Sequence, residues 1–355
     1  MAYTTIDDPS AYFQTKLWTG DSNDDRNLTN DGNSDLQPDF LWNKRRSQTG
    51  SHQLHDSSRG VTNVLLSNST NAEQTEANAV QLFQTDGFQV GTDGSINNDT
   101  ITYVAWQWKA NGGTRTTNTE SGNNPAGGYQ ASTTAGFSIV DYTGTGSAGT
   151  MAHGLGVEPK VMIVKNRDAT TDWAVYHRNA SATGNDSYLE LNTTDASATA
   201  GSVWNDTSPT SSVFTVGTNT KTNTDGEKYI AYCFTDIQGY SKYGNYEGNN
   251  NSDGPFLYTG FQPALFIVKN VDSTAAWRLY SNKISNQNGF NDLDRLLYPN
   301  TNEAESGTGH VVDFLSNGIK IRGDNEDVND AESYIYMAWA EHPFVSSKGV
   351  PCTAR

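Results

Sequence analysis

The chain has 355 residues, a formal net charge of −17 and a hydrophobic fraction of 34%, which is too long and too polar for one large globule. The charge excludes a nucleic-acid phosphate backbone as partner and disfavours an anionic membrane surface. No stretch reaches the roughly 18 consecutive apolar residues of a membrane span, and two cysteines, Cys233 and Cys352, are too few for a disulfide framework.

Gly, Asn, Thr, Ser and Asp dominate the polar residues while Lys, Arg and Glu are scarce, so strands joined by turns are expected, not helices. The N-terminal MAYTTIDDPSAYFQ lacks the basic region and apolar core of a secretory signal, which implies folding in a cytoplasm. Phe13, Thr15 and Leu17 then alternate with Gln14, Lys16 and Trp18, the period of a strand with two different faces. PDFLWNK follows from Pro38, then HQLH at His52–His55, LLSNSTNAE from Leu65, FQVGTDGSIN from Phe88 and an apolar strand at Tyr103–Trp106. Helix is expected only in short turns, with Ala72–Ala79 the best place for one.

Residues 111–135 are rich in Gly, Asn, Thr and Ser and read as a linker. Beyond it the first pattern recurs. GFSIVDYTGTG from Gly136 repeats the opening strand, and PKVMIVKN from Pro159 repeats the Pro-led apolar run. LELNTTDAS from Leu189, FTVGTNTKTN from Phe214 and Tyr229–Tyr232 complete it. A third round follows almost without a break: GYSKYGNYEGN, PALFIVKN from Pro263, RLLYPNTNEAES from Arg295, IKIRGDNEDVN from Ile319 and Tyr336–Trp339. Six residues after each Pro stands Lys44, Lys165 or Lys269, and eight further on stands His52, Trp173 or Trp277.

Ordered matches at similar spacing predict three related copies of one module. Each is an antiparallel β-sandwich, jelly-roll-like, in an all-β protein. The expected boundaries are 1–110, 136–236 and 237–344, with the linker at 111–135 and a C-terminal tail at 345–355. The last two modules are expected to pack as a rigid pair with the first hinged to them. The unbroken run MIVKN and its equivalents should be covered on both faces or sit mid-sheet, and should turn back through a hairpin to WAVYH or WRLYS.

Catalytic and metal motifs are sparse. His52 and His55 are three apart, so on a strand they face opposite sides and do not converge on one ion. GTGSAG at Gly144–Gly149 has no Lys placed to make it a phosphate loop, and a hairpin loop is the better reading. GDSNDDRN and GDNEDVND lack the ordering of a calcium loop and read as solvated turns. No catalytic residue, cofactor or metal is assigned. The aromatic residues leave one functional reading: Trp173 and His177, and Trp277 and Tyr280, as ligand contacts, with a sugar-stacking platform as the function and core packing as the alternative.

The many ordered segments, from LQPDFLWNKRR through GFSIVDYTGTGSAGTMAHGLGVEPKVMIVKN to YIYMAWAEHPF, resemble a family of tailed-phage virion proteins abundant in phages of marine bacteria, cyanobacterial hosts included, and usually labelled tail fibre or structural protein. The resemblance implies a β-sandwich protein of the particle exterior: a fibre, tail appendage or capsid decoration, made in the host cytoplasm and carried on the virion. Other virion proteins and a host-surface glycan are the expected partners, in a symmetric homo-oligomer with a trimer favoured, without nucleic acid or membrane insertion. A polysaccharide-degrading virion enzyme and a stand-alone glycan-binding module are the alternatives.

Overall fold

The structure, a computed structural model, describes residues 2–180, 185–285, 292–324 and 326–351. It is all-β, and every strand pairing among the described residues is antiparallel. Three large sheets each place four strands in one order: opening, closing, lysine-bearing and return. In the first these are Phe13–Thr19, Thr102–Trp108, Phe40–Arg45 and Gln53–Asp56. In the second they are Phe137–Thr143, Lys228–Phe234, Val161–Asn166 and Ala174–His177. In the third they are Ser241–Glu247, Ser333–Pro343, Phe261–Asn270 and Arg278–Ser281. A smaller sheet packs on one face of each, giving three sandwich-like units.

The apolar runs explain how the units meet. Along a strand, neighbouring side chains point to opposite faces. Met162 and Val164 enter the interior of the second unit, while Val161 and Ile163 enter a different cluster that also holds residues of the other two units. Phe266 and Val268 divide from Leu265 and Ile267 in the same way, as Leu41 does from Phe40 and Trp42. Each large sheet is therefore buried on both faces, one against its own small sheet and one against its neighbours. At the centre Trp108, Phe234 and Trp339, one from the same place on each closing strand, have ring centroids 5.3 to 6.5 Å apart.

The same side-chain contacts recur in each unit. Asn97, Asn223 and Asn329, all fully buried, donate to the carbonyls of Gly91, Gly217 and Gly323 at 3.0, 2.7 and 2.7 Å. The hydroxyls of Tyr103, Tyr229 and Tyr334 accept from the backbone N–H of Asn98, Thr224 and Asp330. These contacts correct one alignment: Tyr334, not Tyr336, stands where Tyr103 and Tyr229 do. The Tyr-x-Ala spelling at Tyr336 misleads, because the closing strand of the third unit is longer and its register is fixed by Asn270 opposite Tyr334.

Other expectations change as well. Residues 111–135 are not a bare linker: Thr116–Asn118 and Ala126–Ser132 are strands that extend the second sheet beyond its opening strand. Gly127 shows why so small a sequence does this, since a Cβ there would lie 2.0 Å from the Asp141 carbonyl oxygen. Ala72–Ala79 carries a short strand at Gln74–Thr75; the one-turn helices are at Gly94–Asn97, Gly201–Trp204 and Glu326–Asn329. Gly144–Gly149 crosses between two sheets instead of closing a hairpin. Pro263 lies inside its strand at a register shift, the position at which a missing N–H is tolerated. The free thiol of Cys233 is buried, as its apolar run implies, whereas Cys352 lies outside the described residues.

Candidate functional site

The most conspicuous repeated residues build the junctions between units. Each L-and-N/T segment is the platform on which the next unit sits. The Lys165 ammonium, wholly inside, donates to its own neighbour's carbonyl at Asn166 and to Thr70 O of the first unit at 3.2 Å. Lys269 donates to Asn270 O and to Thr194 O of the second unit. Lys44 donates to Arg45 O. Burial lowers all three lysines to about 8 and outweighs the carboxylates that oppose it, Asp172 for Lys165 and Asp195 and Asp327 for Lys269. For Lys44 the Arg45 charge adds to this, while Glu303 and Glu305 oppose it.

Backbone bonds complete each junction. Thr171 N reaches Thr70 O and Glu73 N reaches Arg167 O; Ala275 N reaches Thr194 O and Ser197 N reaches Val271 O; Gly50 N reaches Asn302 O and Glu305 N reaches Arg46 O. The second unit thus rests on the first, the third on the second, and the first on the third. The units close into a ring. The expected hinge before the second unit is replaced by this closure, which fixes the first unit to both others.

The sequence-selected ligand residues lie within this architecture and face no solvent. Trp173 and Trp277 are 0% and 1% exposed, and their indole N–H groups donate to Leu66 O and Glu190 O of the neighbouring unit, both at 2.9 Å. Their backbone N–H groups are held by Asn192 and Asn300, as Asn68 holds that of His52. His177 is buried at the contact with the third unit, its Nε2 3.3 Å from Tyr336 O. Tyr280 fills the interior of the third unit, where burial raises its hydroxyl to about 12. None of the four offers a surface to a ligand; the core alternative holds because each slot is where two units meet or two sheets face.

The histidines of HQLH do diverge. His52 Nδ1 accepts from the Trp42 indole at 2.8 Å, whereas His55 Nδ1 meets Val61 O at 2.7 Å on the other face. Burial holds His52 well below the ordinary histidine range and lowers His55 and His177 to about 4, so all three are neutral at pH 7. Between the first two units, buried Arg59 donates to Asp56, Glu73 and Leu54 O, and the Tyr232 hydroxyl donates to Asp56 at 2.7 Å. Burial works against the Arg59 charge, but Asp56, Tyr232 and Glu73 outweigh it. These ionisable groups hold units together. Among the described residues, no group of three His, Cys, Asp or Glu side chains is arranged to hold a metal ion.

The exposed aromatic surface is elsewhere. Phe256 and Tyr258, 45% and 55% exposed, share the outer face of the edge strand Phe256–Tyr258, with Leu257 turned inward between them. The Phe256 ring lies over Gly318, where a Cβ would come within 2.7 Å of it, so the missing side chain lets the ring lie on the sheet. Tyr3 adds its hydroxyl 3.1 Å from that of Tyr258. The signal that reveals this pair in the sequence is Phe-Leu-Tyr after a Gly-Pro turn, an alternation too short to stand out among longer strands.

No curated protein and no solved structure matches the chain. One family pattern matches residues 8–343, running through all three units as a single block. The chain belongs to that family, described as a domain of unknown function, DUF7483.

Proposed function

We propose that the chain is a structural protein on the exterior of a bacteriophage particle, serving in attachment to the host surface as part of a fibre, tail appendage or capsid decoration. The observation that carries this reading is the ring with its common core. The repeated lysine and tryptophan contacts join one unit to another, which suits a stiff building block whose outward loops do the contacting. The resemblance to tailed-phage virion proteins supplies the particle. With three similar units about one centre in a single chain, the block already has the approximate symmetry for which a trimer was expected.

Immunogold labelling and mass spectrometry of purified particles test the proposal. The expected result is the chain among the particle proteins and label on the exterior. Intact infective particles without it would overturn the reading. Phe256 and Tyr258 favour carbohydrate contact as the means of attachment, because exposed ring faces stack on sugars. A glycan array probed with the full chain and with Phe256→Ala/Tyr258→Ala should show host envelope glycans bound by the first and not by the second.

A further inference from the structure

The three opening strands occupy equivalent places, yet their outer edges are treated in three ways. In the second unit the edge of Phe137–Thr143 is paired with the chain's own strand Ala126–Ser132. There Gln130 reaches across to Ser57 and Ser58 of the first unit. In the third unit the edge is blocked. The Asp236 carboxylate accepts from Tyr243 N at 2.8 Å, and Asn179 of the second unit donates to Asn245. In the first unit the strand Phe13–Thr19 ends its sheet with no partner strand on that side among the described residues, although Phe13 and Thr15 are themselves only 3% and 7% exposed.

Register identifies the groups involved. Lys109 N bonds Tyr12 O and Gly20 N bonds Ile101 O, so the even-numbered residues between them exchange bonds with the closing strand. The N–H and C=O groups of Phe13, Thr15 and Leu17 therefore point away from the sheet. None of them has a hydrogen-bond partner among the described residues. A cavity of about 210 Å³ lies against this edge, lined by Phe13, Gln14 and Thr15 on one side and by Lys283 and Glu341 of the third unit on the other. Lys283 stands at the place in the ring that Ser58 occupies beside the filled slot.

We propose that this edge is a docking site for an extended segment of a different protein, which adds as a strand beside Phe13–Leu17 just as Ala126–Ser132 adds beside Phe137–Thr143. Small residues fit the slot, as Ala126, Gly127, Gly128 and Ala131 show in the second unit. Asp8, Asp31 and Glu341 line it against Lys283 and His342, and Lys283 stands 3.6 Å from Glu341, so the incoming segment carries a basic residue. The same carboxylates, on a chain of charge −17, disfavour a second copy as occupant. The proposal does not depend on where the chain resides.

The test uses the full chain and two synthetic peptides, NPAGGYQASTTA, which is residues 124–135, and the same sequence with a lysine at each end. Residue-resolved hydrogen exchange should show the amides of Phe13, Thr15 and Leu17 slowed about tenfold or more on adding peptide, more strongly by the lysine-bearing one. Thr15→Pro, which removes an N–H that the fold itself does not use, should abolish the slowing. Should that variant fail to fold, Asp31→Lys, altered at an exposed side chain, should remove the preference for the lysine-bearing peptide. No slowing at millimolar peptide, equal slowing in Thr15→Pro, no effect of Asp31→Lys, or protection of this edge by self-association without peptide would each overturn the proposal.

Discussion

Among the described residues, two junctions of the ring carry an ion pair and the third does not. Arg167 meets Glu73 at 2.7 Å where the second unit rests on the first, and Arg46 meets Glu305 where the first rests on the third. Where the third rests on the second, the same positions hold Val271 and Ser197, yet Ser197 N still bonds Val271 O at 2.8 Å, as Glu73 N bonds Arg167 O. The backbone contacts and the buried lysine define a junction, and charge is an addition to it. Within the first unit Arg59 pairs with Asp56, wholly inside, and with Glu73, and the Tyr232 hydroxyl of the second unit donates to Asp56, so a deeply buried ion pair stands beside the two part-exposed ones.

The sharpest way to break the distinction between local junction and common centre is Trp339→Ala. Removing this ring should cost about 3–5 kcal/mol, since a large aromatic side chain is lost from a packed core. Because Trp339 touches Trp108 and Phe234, all three units should lose stability together in one unfolding transition, followed by circular dichroism in urea. Separate transitions for the units would show that the centre does not couple them. Next comes Arg59→Met, which strands the Asp56 carboxylate away from solvent and should cost about 3 kcal/mol or more. The matching change at Arg46, whose side chain is 18% exposed, should cost about 1 kcal/mol or less. Equal shifts in urea midpoint would remove the contrast between the buried and part-exposed pairs.

Units also differ inside their sandwiches. Asn43 stands where Val164 and Val268 stand in the others, and it is fully buried with no partner among the described residues for either end of its amide. Replacing it by Val should raise stability by about 1–3 kcal/mol, the cost of an unpaired buried polar group. A fall in the thermal midpoint would mean that the amide has a role the apolar units lack.

This substitution of Asn for Val before the lysine is visible in the sequence, as are the Pro-to-Lys spacing, the buried strand and its hairpin return. Their purpose was not legible. A Trp or Lys at a repeated position announces repeated packing, but nothing in one copy says that the packing partner is the next unit in a ring. Residues 111–135 illustrate the same limit: Gly and Ala read as linker when their neighbours are unknown, whereas Gly127 lets the strand lie close to Asp141 and Tyr142 and Gly128 leaves room for Arg115 and Thr116 on its other side. The candidate site was displaced for a related reason. The eye goes to Trp173 and Trp277 because they recur, and recurrence marks the core, while Phe256 and Tyr258 have no counterpart elsewhere in the chain.

His52 takes the junction place of Trp173 and Trp277, and acid should expose the difference. Its folded value lies well below the usual 6.5 because burial disfavours the charged ring, so the unfolded chain binds its proton first as pH falls. Stability is thus fully present above about pH 6.5 and declines below it, by about 1.4 kcal/mol per pH unit for each such histidine. His55 and His177, at about 4, add the same slope between about 6.5 and 4. His52→Trp should remove the His52 share of that slope, about 1.4 kcal/mol per pH unit, in urea unfolding measured from pH 6.5 to 5, while the indole restores the donor the other junctions have. An unchanged slope would show that His52 is not held neutral.

The smallest effect sharpens the comparison most directly. Val271→Arg with Ser197→Glu writes the missing ion pair into the third junction, at positions whose backbones already match those of Arg167 and Glu73. A part-exposed pair gains little in water, because both side chains lose freedom and salt screens their attraction. The double variant should therefore change stability by about 0–1 kcal/mol, with a coupling in a double-mutant cycle that shrinks as salt is raised. A gain well above that would make charge a principal part of ring closure and would leave the present third junction as the place where the ring opens first. A coupling near zero with an unchanged midpoint would instead confirm that the lysine and the two backbone bonds are sufficient, and that Arg46 and Arg167 choose which faces meet without adding much to how firmly they hold.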